Sequence, residues 1–330
     1  MAAVMSLSPS SVSDLPELFV NDGKLEQDQI GILRPTPLDT PAAEMRTRLA
    51  RDGYLFIKGL LPRADVLEAR ARYFEYLSPT GLLKPGTRPV DGVFDPARPA
   101  ADYPGIGAGV PGTGTATSAA FVDLAIRAHA EKWYDALCKH PRLLEFVAGL
   151  SGWGEHTLAL ERSLLRNNLP GNAAIGVHYD YIFLRHGNDS VLTAWVPIGD
   201  VKVEGGGLIY LEKGHVLGQK FEHDFTAKAA AAGMTAEETK HAFNKHMMDG
   251  GVLTTGARQF GAEHAARWLV SGYEAGDVVF HDSYMIHAST TNHDETGTIR
   301  LATDLRFVNT SQPWDQRQRW TKVYDPDDGL

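Results

Sequence analysis

The apolar positions of this chain change rhythm once. In the first half they fall at helical spacing. PAAEMRTRLARDG (41–53) reads as a helix closed by Gly53, and YLFIKGLL (54–61) is a compact run of β-formers that reads as a strand. PRADVLEARARYFEYL (62–77) starts on proline and aligns Val66, Ala69, Tyr73 and Leu77 on one face, which predicts a second helix. Helical spacing returns over 118–150. From about residue 156 the texture is β. TLALERSLLRNNL, AAIGVHYDYIFL, SVLTAWVPI, GGLIYL, ARWLV, GDVVFHD and TIRLATDLRFV are short apolar runs separated by Gly, Asn, Asp and Pro. Many short strands with such punctuation predict a sandwich or barrel. An Ala-rich helical stretch at 224–248, around Gly233, interrupts them and reads as an insertion over one mouth of the barrel.

Two stretches lack a pattern. Residues 1–40, rich in Ser, Pro and Asp, read as an arm draped on the surface. Residues 78–117 are dense in Gly and Pro, and a loop of that length inside a compact chain reads as a lid bordering a site. At roughly 150 residues per domain the length allows two domains. The order of helices followed by strands favours one instead, over 41–330. Its parts are a helical support and lid loop at 41–155 and a β core at 156–320 that carries the 224–248 insertion.

Composition narrows the chemistry. Lys and Arg number 32 against 41 Asp and Glu, a net charge of −9. That balance argues against a nucleic acid or an anionic membrane surface as partner. There is no apolar run of about 18 residues, the N-terminus lacks the pattern of a secretory signal, and DPDDGL at the C-terminus is not a peroxisomal address. The expected compartment is cytoplasmic. Cys138 is the one cysteine, so neither an internal disulfide nor a cysteine metal cluster can form, and it reads as a small buried hydrophobe on a helix. Histidines number 13, so a metal site would use His and carboxylates, as iron, zinc and manganese sites do.

Three segments offer such a site. In GVHYDYIF, His178 and Asp180 lie two apart and share one face if the segment is a strand; the bland alternative is a polar strand edge. In GDVVFHDSYMIHAST, His287 sits in the apolar run YMIHAS, where an unpaired imidazole is costly to bury. His281 and His293 have acidic neighbours and read as surface residues. In TGTIRLATDLRFVN, alternation puts Arg300, Ala302, Asp304 and Arg306 on one face. An arginine there can fork onto a carboxylate, or can form a structural salt bridge with Asp304 or Asp315.

The ordered set of His178-x-Asp180, AWVPIGDVKVEGGGLIYLEKGH (194–215), GDVVFHDSYMIH ending at His287, and Arg300 resembles the phytanoyl-CoA dioxygenase-like family of Fe(II)/2-oxoglutarate-dependent oxygenases. The resemblance implies a mainly β fold, a double-stranded β-helix or cupin-like jelly-roll barrel flanked by N-terminal helices. It implies Fe(II), with 2-oxoglutarate and O2 as cosubstrates. His178, Asp180 and His287 match the metal ligands. Arg300 matches the partner of the distal carboxylate of 2-oxoglutarate, Ser289 a hydroxyl that assists it, and Trp195 a neighbouring aromatic residue. The segment TTNHDETG lengthens the turn before Arg300, so Arg306 stays a rival for the anchor. A carboxylate at 180, where halogenating relatives place a small residue, favours hydroxylation, desaturation or cyclisation. Substrate contacts are expected from the 78–117 loop, Arg166, Asn168, Tyr181, Phe183, Arg185 and the 224–248 helices. The expected partner is a small molecule, a specialised metabolite, and a homodimer stays open. The competing readings are a cupin-type metal enzyme or a small-molecule binder that does not use 2-oxoglutarate.

Overall fold

The computed structural model describes residues 9, 11–106, 112–240 and 252–327. The chain opens with a short hairpin, β1 (Phe19–Val20) and β2 (Gly23–Lys24), followed by β3 (Ile30–Ile32) and β4 (Pro35–Thr36). Helix α1 (Ala42–Asp52) stops at Gly53, whose φ of 78° is the left-handed turn glycine allows and whose N–H closes on the Leu49 carbonyl. Strand β5 (Tyr54–Ile57) and helix α2 (Arg63–Leu77) follow. The helical stretch expected at 118–150 is three helices, α3 (Ala116–Arg127), α4 (Lys132–Cys138) and α5 (Pro141–Ser151). Pro141 at the start of α5 explains one break, because proline has no N–H to continue the preceding helix. Next come β6 (Thr157–Ala159), β7 (Leu164–Asn168), the single helical turn α6 (Tyr181–Leu184), β8 (Val191–Pro197) and β9 (Leu208–Leu211). Helices α7 (Gly214–Ala231) and α8 (Ala257–Glu263) precede β10 (Trp268–Val270), β11 (Val278–Asp282), β12 (His287–Ser289) and β13 (Arg300–Asn309).

The strands form two main sheets. The larger, seven-stranded one runs β4-β5-β11-β8-β13-β6, with β7 also on β13; the smaller runs β12-β9-β10-β3. Alternation sorts the large sheet. Leu55, Ile57, Leu192, Ala194, Val278, Phe280, Leu305 and Phe307 point outward into one core with Val66, Tyr73 and Phe74 of α2 and Phe121 of α3. Tyr54, Phe56, Trp195, Val279 and Ala302 point inward to meet Leu208 and Tyr210 of the small sheet. The outer face of the small sheet is covered by Leu18, Val20 and Leu25 of the N-terminal segment and by Phe260 of α8. This is a two-sheet barrel with helices outside, the fold the sequence reading expects.

The N-terminal segment is more than a surface arm. Strand β3 pairs in parallel with β10, and β4 with β5, so both main sheets are completed by residues before 40. The insertion helix also starts earlier than the Ala-rich run implies. It leaves the end of β9 at Gly214 and runs to Ala231, and Gly233 (φ 78°) marks its end rather than its middle. Residues 241–248 of the expected insertion lie outside the described residues. No described helix is long and apolar enough to cross a membrane.

Two buried polar residues fix the strands that bear the site. His129 receives the Leu165 N–H at Nε2 (2.9 Å) while Nδ1 faces the Ala125 carbonyl (3.0 Å), which ties the end of α3 to β7. Burial pushes its pKa down to about 4, so it is neutral at physiological pH. Arg70 of α2 is buried and donates to the backbone carbonyls of Val90 (2.8 Å), Ile198 (3.0 Å), Asp91 (3.2 Å) and Ile299 (3.0 Å). It therefore clamps the ends of β8 and β13 to the lid segment. Gly92 and Gly199 leave it room, since a Cβ at either would lie 2.3 or 2.8 Å from its side chain. Arg70→Met strands these carbonyls and is expected to cost about 3 kcal/mol. A shift of the urea midpoint reads this, and an unchanged midpoint would refute the clamp.

Candidate metal centre

Strand β12 presents His287 to the barrel interior, and the backbone of His178 pairs directly with it. His178 N–H donates to the His287 carbonyl (3.0 Å), and His287 N–H to that of His178 (2.9 Å). The two imidazole centroids lie 4.2 Å apart. Past Tyr179 the chain leaves the sheet: the Tyr181 N–H bonds the Ser283 carbonyl (2.8 Å) and α6 begins. His178 and Asp180 thus converge through a bridge followed by a turn, not through one strand. The apolar run YIFL caused the misreading, because a short buried helical turn and a short buried strand look alike in sequence. One ligand atom each from His178, Asp180 and His287 lie within 4.8 Å of one another, and all three residues are buried.

The protonation states suit a cation. His178 Nδ1 faces the Gly176 carbonyl (2.9 Å) and His287 Nδ1 the Met285 carbonyl (2.8 Å). A carbonyl only accepts, so each Nδ1 carries the proton and each Nε2 keeps a lone pair. Burial lowers the pKa of both rings, that of His287 strongly, so both are neutral. Burial opposes the charge of Asp180, but the Arg306 guanidinium and His281 outweigh it and hold the carboxyl well below its usual range. Two neutral imidazoles and one carboxylate are the donor set of non-haem Fe(II) sites with open positions.

A single row across three neighbouring strands holds that carboxylate. His281 of β11 is paired opposite Thr193 of β8, and Thr193 opposite Arg306 of β13. Thr193 Oγ1 donates to Asp180 Oδ2 (2.6 Å), Arg306 Nη2 to Oδ1 (2.8 Å), and His281 Nε2 lies 3.3 Å from Oδ2. Two expectations are corrected here. His281 is wholly buried, not on the surface, because alternation along β11 turns it inward with Val279 while its acidic neighbour Asp282 faces away. Arg306 is bound to the Asp180 carboxylate and is not the free rival to Arg300. His293 is exposed and stacks on Phe19 (4.7 Å).

Arg300 opens β13 opposite Asn168 of β7, and its Nε donates to the Gly206 carbonyl (2.9 Å). Burial pulls its pKa down to about 10, which leaves it charged. It lines a cavity of about 170 Å³ together with Arg166, Asn167, Asn168 and Ile175. Ala101, Pro104, Gly105 and Thr113 form part of the same wall, so the Gly/Pro-rich segment does border this cavity. Ser289 Oγ accepts the Ile175 N–H (2.9 Å), which puts it behind that wall. Trp195 packs edge-on to Tyr273 (4.6 Å) in the barrel interior. Tyr181 and Phe183 lie on α6: Tyr181 contacts Tyr284 (4.8 Å), and Phe183 lies 6.5 Å from the His178 ring. Arg185 grips Glu222 of α7 through two bonds of 2.5 and 2.6 Å, so it anchors the insertion helix beside the metal loop. Thr193 and His281 are the residues the sequence reading missed. Their signal was strand alternation alone, since no local pattern ties Asp180 to Thr193, 13 residues on, or to His281, 101 residues on.

Residues 49–301 match the phytanoyl-CoA dioxygenase (PhyH) family. No curated protein sequence matches the chain significantly. Among solved structures, the non-heme alpha ketoglutarate dependent epimerase SnoN from nogalamycin biosynthesis is similar at 19% identity and TM-score 0.48, over 81% of this chain and 80% of that one. The carbocyclase SnoK from the same biosynthesis is similar at 18% identity and TM-score 0.49, over 84% and 87%. EctD from S. alaskensis with bound Fe is similar at 12% identity and TM-score 0.49, over 96% and 94%.

Proposed function

The chain belongs to the phytanoyl-CoA dioxygenase family of Fe(II)- and 2-oxoglutarate-dependent oxygenases, and on that premise we propose that it oxidises a C–H bond of a small specialised metabolite, with release of succinate and CO2. In this reading residues 41–330 act as one oxygenase domain, with β3 and β4 of the preceding segment completing its sheets. His178, Asp180 and His287 hold Fe(II), and Arg300 pairs with the distal carboxylate of 2-oxoglutarate. The observation that carries the reading is the buried cluster of three ligand atoms within 4.8 Å, with both Nδ1 protons fixed by backbone carbonyls.

The bound metal and 2-oxoglutarate supply the activation of O2. The chain's own residues do the rest. His281, Thr193 and Arg306 fix the Asp180 carboxylate so that its geometry is set before metal arrives. Arg300, charged and buried, gives the cosubstrate carboxylate a dry partner, where an ion pair is stronger than in water. Asn168 lies opposite Arg300 on β7, with Arg166 two residues before it, so the same wall can face a substrate. Positioning and exclusion of water are what the protein adds to the cofactor chemistry.

Anaerobic titration with Fe(II) and 2-oxoglutarate tests this. The wild type should develop the weak visible charge-transfer band of the chelate. Arg300→Gln should bind 2-oxoglutarate at least about tenfold more weakly, since a charge-assisted pair is lost. Bound iron with no band in the wild type would return the cupin-type alternative.

A further inference from the structure

The cavity beside Arg300 carries one arginine more than the cosubstrate needs. Arg166 and Arg300 are the charged residues that line it among the described residues, and the other polar lining residues are three asparagines and Thr113. Arg166 is largely buried and poorly paired. Its closest carboxylate oxygen is Asp304 Oδ2 at 3.9 Å, and its Nε has no hydrogen-bond partner. Asp102, on the wall segment, does not line the cavity; its carboxylate takes the hydroxyls of Thr113 and Thr115.

A charge balance of the barrel interior sharpens this. Arg166, Arg300 and Arg306 face Asp180 and Asp304, three cations against two carboxylates. Fe(II) brings two positive charges and 2-oxoglutarate two negative ones, so loading the site leaves the surplus in place. A buried cation without a counter-charge is costly, and a substrate anion would remove that cost. Asn167 Oδ1 and Asn168 Oδ1 also have no donor, while their amide nitrogens are spent on the Tyr103 and Ala173 carbonyls. Both oxygens are closed off from the cavity, Asn168 Oδ1 against Gly206, so these side chains hold the wall and leave Arg166 as its ligand-binding group.

We infer that the substrate of this oxygenase is a small carboxylic acid, with its carboxylate on Arg166. Arg166 is then the residue that determines specificity, separate from the cosubstrate anchor Arg300. The inference rests on the reading of the site as a 2-oxoglutarate oxygenase.

The test measures binding rather than turnover. Protein loaded anaerobically with Fe(II) and 2-oxoglutarate is titrated by calorimetry with 3-hydroxybenzoate and 3-hydroxybutyrate, and in parallel with their neutral amides. At least one acid should bind about tenfold or more tightly than its amide, the scale of one charge-assisted contact. Arg166→Gln should erase that preference and Arg166→Lys should restore part of it, while both keep 2-oxoglutarate affinity within about threefold of wild type. Retention of 2-oxoglutarate binding also shows that each variant is folded. The proposal is overturned if neither acid is preferred, or if Arg166→Gln weakens 2-oxoglutarate as much as Arg300→Gln does, which would make both arginines cosubstrate ligands. A wild type that binds no 2-oxoglutarate would instead overturn the oxygenase reading beneath it.

Discussion

Asp180→Ala is expected to weaken Fe(II) binding on the order of 100-fold or more and to lower the unfolding free energy of the metal-free protein by about 3–5 kcal/mol. The two losses have separate causes. The first removes one of three ligand atoms from a preformed cluster. The second follows from what surrounds the carboxylate. Asp180 is 1% exposed and receives Arg306, Thr193 and His281 on its two oxygens. Without it, Arg306 stays in the barrel with its Nη2 contact gone and its Nε already unpartnered. Removal of one member of a buried pair is the costly case, because the other charge remains out of water. Asp180→Asn gives little relief, since an amide that accepts from Arg306 turns its NH2 toward the Thr193 and His281 side. Urea denaturation of the metal-free variant and an anaerobic Fe(II) titration read the two effects. A wild-type urea midpoint would show that Asp180 is not the counter-charge of Arg306.

The asymmetry between the legible and illegible parts of this site has a physical basis. The inward face of β13 could be read from the sequence, because a ten-residue strand with both faces buried repeats its alternation often enough to be seen. Strands β3 and β4 have three and two residues, too few for a period to show, so their place in the sheets depends on partners more than 20 residues away. The one-turn helix after Asp180 failed for the related reason that four apolar residues fit either period. Partner choice was the hardest part. The sequence offered Asp304 and Asp315 to the arginines of β13, but the register sets Arg306 beside Thr193 and under Asp180, 126 residues away in sequence. His281 was hidden by its neighbour Asp282, whose polarity belongs to the opposite face of the same strand.

That register makes Arg306 the position where a large effect on the metal should leave the cosubstrate untouched. Arg306→Leu is expected to weaken Fe(II) binding about 10- to 100-fold, the range for partners that orient a metal ligand. It should also destabilise the metal-free fold by about 3–5 kcal/mol, since it leaves Asp180 as a buried carboxylate without its guanidinium. The carboxylate keeps Thr193 and His281, so binding is weakened rather than lost. Arg300 starts the same strand and holds the Gly206 carbonyl, so its arm is set independently of residue 306. With Fe(II) at saturation, the affinity of Arg306→Leu for 2-oxoglutarate should therefore stay within about threefold of wild type, against a loss of about tenfold or more in Arg300→Gln. The double variant Asp180→Ala/Arg306→Leu supplies the control. Removing both charges leaves neither buried alone, so its stability should exceed that expected from adding the two single losses, with a coupling of about 2 kcal/mol or more. A strictly additive double variant would mean that the two groups do not share their charge. A large loss of 2-oxoglutarate affinity in Arg306→Leu at saturating iron would make Arg306 part of the cosubstrate anchor after all.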